Sequence, residues 1–353
     1  MSLYVDIRKK YNGFALEVSF SSEEGTMALL GASGSGKSMT LKCIAGLISP
    51  DAGVIKMDGR VLFDSAAKID LRPQERGVGY LFQSYALFPN MTVRQNIGIA
   101  YRGKPAEKDA DIDALLARYG IAELRDRYPV QLSGGEQQRA ALARLFASKP
   151  RAVLLDEPFS ALDAFLRESM QAELRRVIRE YDGNVVLVTH SRDEAYRIAD
   201  GLVILDNGRP AAAGAVREVF ANPGNVRAAR VTGCKNISAI EKTGERSFFA
   251  KDWGIGLETA EPVEGRHAFA GIRAHDFRPV GETAGETAGK PGRILNIIPI
   301  EQLDVIDGPF EKDIIFHVEG CGDRLWWITG RGADTSGVRA LSIAPEAILL
   351  LEA

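Results

Sequence analysis

The stretch "GASGSGKS", Gly31 to Ser38, constrains this chain more than any other. It fits G-x-x-x-x-G-K-S, follows the short apolar run "TMALLG", and precedes helical spacing in "KSMTLKCIAGL". Leu41, Ile44, Ala45 and Leu47 fall on one side of that helix, and "ISPDAG" supplies the proline and glycine that stop it. A buried strand, a glycine-rich turn and a helix, in that order, make an anion cradle, because backbone N–H groups and a helix N-terminus converge on one place. Gly31, Ala32, Ser33, Gly34, Ser35 and Gly36 would wrap phosphate oxygens, with Gly34 and Gly36 letting the backbone close without a Cβ in the way. Lys37 would neutralise β- and γ-phosphates, and Ser38 would ligate Mg²⁺.

A second stretch also seeks phosphate. In "QLSGGEQQR" a serine and a glycine pair, Ser133, Gly134 and Gly135, open another helix about a hundred residues downstream. Between that helix and the next lies "VLLDEP", an apolar strand ending in two acids. Asp156 suits a Mg²⁺ shell, and Glu157 suits orienting or deprotonating a water at the γ-phosphate. A strand ending in Asp-Glu is by itself more often a solvated loop, and it is the upstream cradle that gives the pair a task. His190 closes the strand "NVVLVTH" at the carboxyl edge, where α/β sheets bind ligands, and a hydrogen bond to the γ-phosphate is expected of it. Gln83 follows a short strand in "GYLFQSYALFP", where its amide would reach Mg²⁺ or the water. The apolar residues around it, Phe82, Tyr85, Leu87 and Phe88, are either core or a contact surface for a partner.

The first stretch of about 220 residues alternates strand and helix, the pattern of an α/β domain. "DIDALLARYGIAELRDRYP" reads as short amphipathic helices, and "DAFLRESMQAELRRVIREY" as a long helix capped by Asp163. "GLVILDNGRPAAAG" reads as a hairpin turning at Asn207–Gly208, and "AVREVFANP" as a last short helix. Beyond residue 233 the texture changes to short alternating stretches such as "RSFFAKD", "HAFAGIR", "DIIFHVEG" and "RLWWITG", the pattern of a small all-β barrel. The expected domains are therefore 1–233 and 234–353. The tandem "GETAGETAGK", Gly281 to Lys290, reads as a mobile loop.

Composition excludes rather than identifies. The net charge is −3 and the pI near 6.0, which gives no reason to expect nucleic acid. No apolar run approaches the roughly 18 residues of a membrane helix, and "MSLYVDIRKK" lacks the pattern of a signal peptide, so a cytoplasmic protein is expected. Cys43, Cys234 and Cys321 are odd in number and far apart, and the four histidines are widely scattered, so reduced thiols and no structural metal are expected.

The ordered set of motifs resembles the nucleotide-binding subunit of an ABC transporter over residues 1–235 or so. The phosphate loop, a Q-loop glutamine at Gln83 and the signature "LSGGEQQR" at Leu132–Arg139 carry the resemblance. The acids Asp156 and Glu157, a D-loop "SALD" at Ser160–Asp163 and the switch histidine at His190 complete it. The resemblance implies a head-to-tail homodimer that binds ATP and Mg²⁺, with Ser133, Gly134 and Gly135 of one chain covering the ATP held by the other. It places Gln83 as both a metal ligand and a member of the hydrolytic set, and Asp163 at the nucleotide. An aromatic that stacks on adenine is also implied; Tyr11 and Phe14 both qualify, Phe14 slightly preferred. Two transmembrane permease subunits and, indirectly, an external substrate-binding protein would be partners, putting the chain at the cytoplasmic face of the membrane.

The C-terminal part resembles the small OB-like barrel called a TOBE domain, chiefly in "GIRAHDF". Arg273, His275 and the pair Trp326–Trp327 are ligand candidates there, against a more ordinary role in packing and hydrogen bonding within the barrel. The stretch "GRVLFDSAAKIDLRPQERGVGYLFQSYALFP" and the junction "VTGCKN" resemble molybdate importers, with sulfate, tungstate, iron, polyamine and sugar as other cargoes. A soluble ABC ATPase of DNA repair or translation and a ligand-sensing module are the rival classes. The first would bring a coiled-coil insertion or two cassettes and a basic face, none of which is evident. The second sits poorly with a full hydrolytic set.

Overall fold

The structure is a computed structural model that describes residues 2–280 and 296–353, apart from Asn12, Glu24, Ala161, Gly320 and Gly322. The tandem repeat at Gly281–Lys290 lies outside the described residues. The chain divides into two compact units, Met1–Arg217 and Glu218–Ala353.

Strands of the first unit are β1 (Leu3–Tyr11), β2 (Phe14–Ser22), β3 (Thr26–Leu30), β4 (Ala52–Met57), β5 (Arg60–Asp64) and β6 (Ile69–Asp70). They continue as β7 (Val78–Leu81), β8 (Ala152–Asp156), β9 (Asn184–Thr189), β10 (Gly201–Asp206) and β11 (Arg209–Ala215). Its helices are α1 (Lys37–Ala45), α2 (Val93–Ala100), α3 (Lys108–Arg118), α4 (Gly134–Ala147), α5 (Ala164–Arg179) and α6 (Arg192–Ile198). A five-stranded sheet runs β2-β1-β4-β5-β6 and is antiparallel throughout. A six-stranded sheet runs β11-β10-β3-β9-β8-β7, parallel except for β11.

The six-stranded sheet is covered on both faces, which is why its strands read as continuous apolar runs. Alternate residues separate two cores. Val153, Leu155, Val185 and Leu187 join Ile97 of α2, Ile112 of α3 and Leu142 of α4 in one. Ala152, Leu154, Val186 and Val188 join Leu41 and Ile44 of α1, together with Val5, Val18 and Ile55 of the antiparallel sheet, in the other. The helix after the phosphate loop and the helix after "LSGG" therefore pack on opposite faces.

Two local devices fix the loops around the site. The hairpin β10–β11 turns at Asn207 (φ 46°) and Gly208 (φ 80°), the two positive φ values of a type I′ turn, where the sequence put it. Helix α1 stops at Gly46 (φ 76°), and its last carbonyls are met by Arg76, which is wholly buried. The guanidinium donates to Cys43 O (2.8 Å), Ile44 O (2.9 Å) and Leu71 O (2.8 Å) and pairs with Asp70 (2.7 Å). A Cβ on residue 46 would lie 2.5 Å from Arg76 Nε, so glycine is needed there for φ and for space.

The second unit holds α8 (Val226–Val231), preceded by α7 (Val216–Ala221) at the division, and two five-stranded antiparallel sheets. One sheet contains Asn236–Lys242, Ser247–Ala250, Ile255–Glu258, Phe269–Ile272 and Ile348–Leu351. The other contains Arg278–Pro279, Asn296–Asp307, Glu311–Val318, Arg324–Gly330 and Ala340–Ile343. They share one core in which Phe248, Phe277, Phe316 and Trp327 are fully buried. The compact units divide ahead of the expected boundary at residue 233. Val226 and Ala229 of α8 pack with Cys234 and Leu351, so this helix goes with the β unit although it reads as the tail of the α/β domain.

All three cysteines are free thiols. Burial pushes the Cys43 thiol up to about 12 and that of Cys234 up to about 11, so neither is a reactive thiolate.

Candidate active site

Strand β3 delivers the chain to Gly31 at the carboxyl edge of the six-stranded sheet, and the loop returns into α1. Gly34 (φ 81°) and Gly36 (φ 102°) take left-handed conformations. At Gly36 a Cβ would also lie 2.6 Å from Leu16 Cδ1 and 3.2 Å from Phe14 Cζ. Ala32, Ser33 and Gly34 are exposed at the crest, while Ser35 is buried with its hydroxyl unpartnered. Lys37 is 4% exposed, and its ammonium donates to Gly31 O and Ala32 O, both at 2.8 Å. Burial pulls its pKa down, and the carboxylates of Glu157 and Asp156 work in the opposite direction.

The acids arrive on β8. Asp156 accepts from Ser38 Oγ on one oxygen and from Tyr80 OH on the other, each at 2.7 Å. Glu157 follows in a left-handed conformation (φ 46°), its N–H held by Val188 O at 3.0 Å, which turns its side chain out of the strand pattern. Its Oε2 stands 3.4 Å from His190 Nδ1. The structure thus brings Lys37, Ser38, Asp156, Glu157 and His190 to one edge. A hydroxyl and a carboxylate are hard oxygen donors of the kind Mg²⁺ takes, with phosphate and water oxygens completing such a shell. Among the described residues no trio of His, Cys, Asp or Glu forms a metal centre of its own. Gln83 lies exposed in the turn that follows β7.

Ser133, Gly134 and Gly135 open α4 on the other face. Ser133 is the N-cap, in a capping box with Glu136: its N–H and hydroxyl donate to Glu136 Oε2 at 2.7 and 2.8 Å. Ser133 and Gly134 are exposed and Gly135 is buried, where a Cβ would lie 3.0 Å from Leu166 Cδ2 of α5. Asp163 caps α5, accepting from Leu166 N at 2.9 Å, and its neighbour Ala161 lies outside the described residues. The Phe14 ring packs against Gly36 and Gly208, whereas Tyr11 is 59% exposed at the end of β1.

Sequence reasoning missed three residues that build this site. Arg76 fixes the end of α1, and Tyr80 holds Asp156. Arg144 of α4 donates to Tyr85 O (2.9 Å) and Ala86 O (2.7 Å), pinning two positive-φ residues just beyond Gln83. A polar tip inside the apolar run "VGYLF" was the one local signal, for Tyr80.

The β-unit candidates do not converge. Arg273 donates to Thr232 O (2.8 Å) and to Phe220 O, and Trp327 is core. Trp326 lies under Lys235 Nζ (4.5 Å), and His275 faces Glu311 at 3.9 Å. Packing and hydrogen bonding within the unit account for them.

A phosphate loop on a two-faced parallel sheet, an acid pair at its edge and a capped Ser-Gly-Gly helix on the far face define an ATP-binding cassette. A family profile for ABC transporters matches residues 16–160. The chain is 41% identical over 333 residues to the molybdenum import ATP-binding protein ModC of Paramagnetospirillum magneticum, covering 92% of this chain and 90% of that protein. It is 40% identical over 314 residues to the sulfate/thiosulfate import ATP-binding protein CysA of Synechocystis, covering 87% and 85%. Among solved structures, a dimeric ATP-binding cassette in a post-hydrolysis state with ADP and Pi superposes with a TM-score of 0.52 at 27% identity, over 62% of this chain and 99% of that one. The chain belongs to the ATP-binding subunits of ABC importers. No helix among the described residues is long and apolar enough to cross a membrane.

Proposed function

We propose that this subunit powers the import of a tetrahedral oxyanion, molybdate first, as a homodimer seated on two permease subunits at the cytoplasmic face of the membrane. Similarity to a molybdenum import protein along 92% of the chain, β unit included, carries this reading. Sulfate is the second reading, because a sulfate import protein matches nearly as far. Both cargoes are tetrahedral dianions, and the ATPase itself need not touch either. The β unit, with its two sheets around one core, is read as a TOBE domain.

In the chemistry, the amides of Gly31–Ser38 and the Lys37 ammonium bind and orient the β- and γ-phosphates. Mg²⁺ held by Ser38, with Asp156 behind it and Gln83 from the turn after β7, would draw charge from the phosphate oxygens. Glu157 takes the proton of the attacking water or orients it, and His190 keeps Glu157 aimed and reaches the γ-phosphate. Ser133, Gly134 and Gly135 close the site of the partner subunit, with Asp163 at the same junction. The placement of α1 and α4 on opposite faces of one sheet supports that sharing, since each chain presents its loop and its capped helix in different directions.

The experiment is phosphate release from the complete transporter in proteoliposomes, with molybdate, tungstate, sulfate, maltose or spermidine each supplied with a candidate external binding protein. Cargo alters turnover only through its differential affinity for the transporter's states. Stimulation by molybdate or tungstate is expected. Stimulation by sulfate alone moves the assignment to the second reading, and stimulation by maltose or spermidine alone discards the oxyanion.

A further inference from the structure

Tyr80 sits on β7, the edge strand next to β8, opposite Leu154 in parallel register. Val78, Tyr80 and Leu154 border the same apolar cluster as α1. The two-residue period of β8 carries that face on to Asp156, so phenol and carboxylate point to the side where α1 begins with Lys37 and Ser38. The ring is half-buried and held by Phe82, centroid to centroid 4.4 Å. Only its hydroxyl is polar, and it donates to Asp156 Oδ2 at 2.7 Å while Ser38 Oγ donates to Oδ1 at 2.7 Å.

A carboxylate held on one oxygen can swing; held on both, it has one orientation. Asp156 is 7% exposed, so water does little to hold it. The donor that fixes its second oxygen comes from the strand that ends two residues before Gln83.

We propose that Tyr80 is a positioning residue, whose hydroxyl locks the Asp156 carboxylate toward Ser38 and ties the cation site to the strand leading into Gln83. This rests on the reading that Ser38 and Asp156 hold Mg²⁺. Displacement of β7 is then felt at Asp156 through one hydrogen bond. The Mg²⁺ requirement of the site responds to the segment beyond Gln83 that Arg144 pins.

The test is Tyr80→Phe in the full chain, which keeps the ring and its contact with Phe82. A fluorescent ATP analogue is titrated in EDTA and against rising Mg²⁺, with Ser38→Ala in parallel. Affinity in EDTA should match the parent, and the Mg²⁺ concentration giving half the metal-dependent gain should rise on the order of tenfold, as for loss of a metal-orienting partner. An unchanged Mg²⁺ requirement, or equal weakening with and without Mg²⁺, overturns the role of Tyr80. If Ser38→Ala also leaves the Mg²⁺ requirement unchanged, the cation-site reading falls with it. If only Ser38→Ala shifts it, that reading stands and the Tyr80 proposal alone falls.

Discussion

Glu157 Oε2 and His190 Nδ1 stand 3.4 Å apart, each one residue past the end of neighbouring parallel strands. Two groups of complementary chemistry meet because β8 and β9 are adjacent, although the sequence separates them by a helix and a strand. Glu157 is also turned out of its strand by a positive φ, a conformation that costs of order 1 kcal/mol or more for a non-glycine residue. Strain of that kind at the carboxyl end of a strand is where a working side chain is expected.

Glu157→Gln keeps shape and removes the base. Hydrolysis should fall by roughly 10²-fold or more while ATP binding survives. The variant should then accumulate as a nucleotide-loaded dimer in size-exclusion chromatography with ATP. A monomer that hydrolyses at the parent rate would remove Glu157 from the reaction.

Sharing of sites is tested by mixing two defective chains, Lys37→Ala and Ser133→Arg. In the mixed dimer one site carries both defects and the other carries neither, if α4 serves the partner's loop. ATP-dependent closure should return in the mixture and be missing from each homodimer. Mixtures that never close, from chains shown to be folded, would return Ser133 to its own protomer.

The two aromatics near the loop divide by their surroundings. Phe14 is engaged against Gly36 and Gly208, and Tyr11 offers an open ring. Tyr11→Ala should weaken ATP about three- to tenfold, the scale of one aromatic stack, with little change in melting temperature. Phe14→Ala should lower the melting temperature through lost packing. The reverse pattern would put adenine on Phe14, the preference drawn from sequence.

Arg76→Met should destabilise the first unit by about 3 kcal/mol, because two buried carbonyls of α1 and the half-buried one of Leu71 lose the guanidinium. Urea unfolding monitored on the full chain measures it. A midpoint equal to the parent's would mean that α1 is fixed by other contacts.

What was legible in the sequence was local. The phosphate loop shows because strand, glycines and helix are contiguous, and the hairpin shows because Asn207–Gly208 encodes two positive φ values in two letters. Arg76 and Arg144 did not show, since a charged residue reads as solvent-facing until the carbonyls it meets are folded around it. The antiparallel sheet of β1, β2, β4, β5 and β6 was also not read, being assembled from strands on both sides of α1. The compact units divide earlier than the expected boundary because α8 packs on Cys234 and on Leu351 from the far end of the chain, contacts that helical spacing alone does not reveal.

The capping box at Ser133 has a consequence for the working cycle. Hydrogen bonding from the Ser133 N–H, first of all, holds the Glu136 carboxyl below its usual range and fixes that carboxylate at the mouth of α4. A phosphate brought there would meet the opening of α4 and a resident like charge together. If α4 closes the partner's site as proposed, its end would be a latch with a built-in release, gripping an anion only while the rest of the nucleotide holds that anion in place. Once the bond to the γ-phosphate is cut, repulsion from Glu136 would then favour letting go, as a contact remade at every turnover requires.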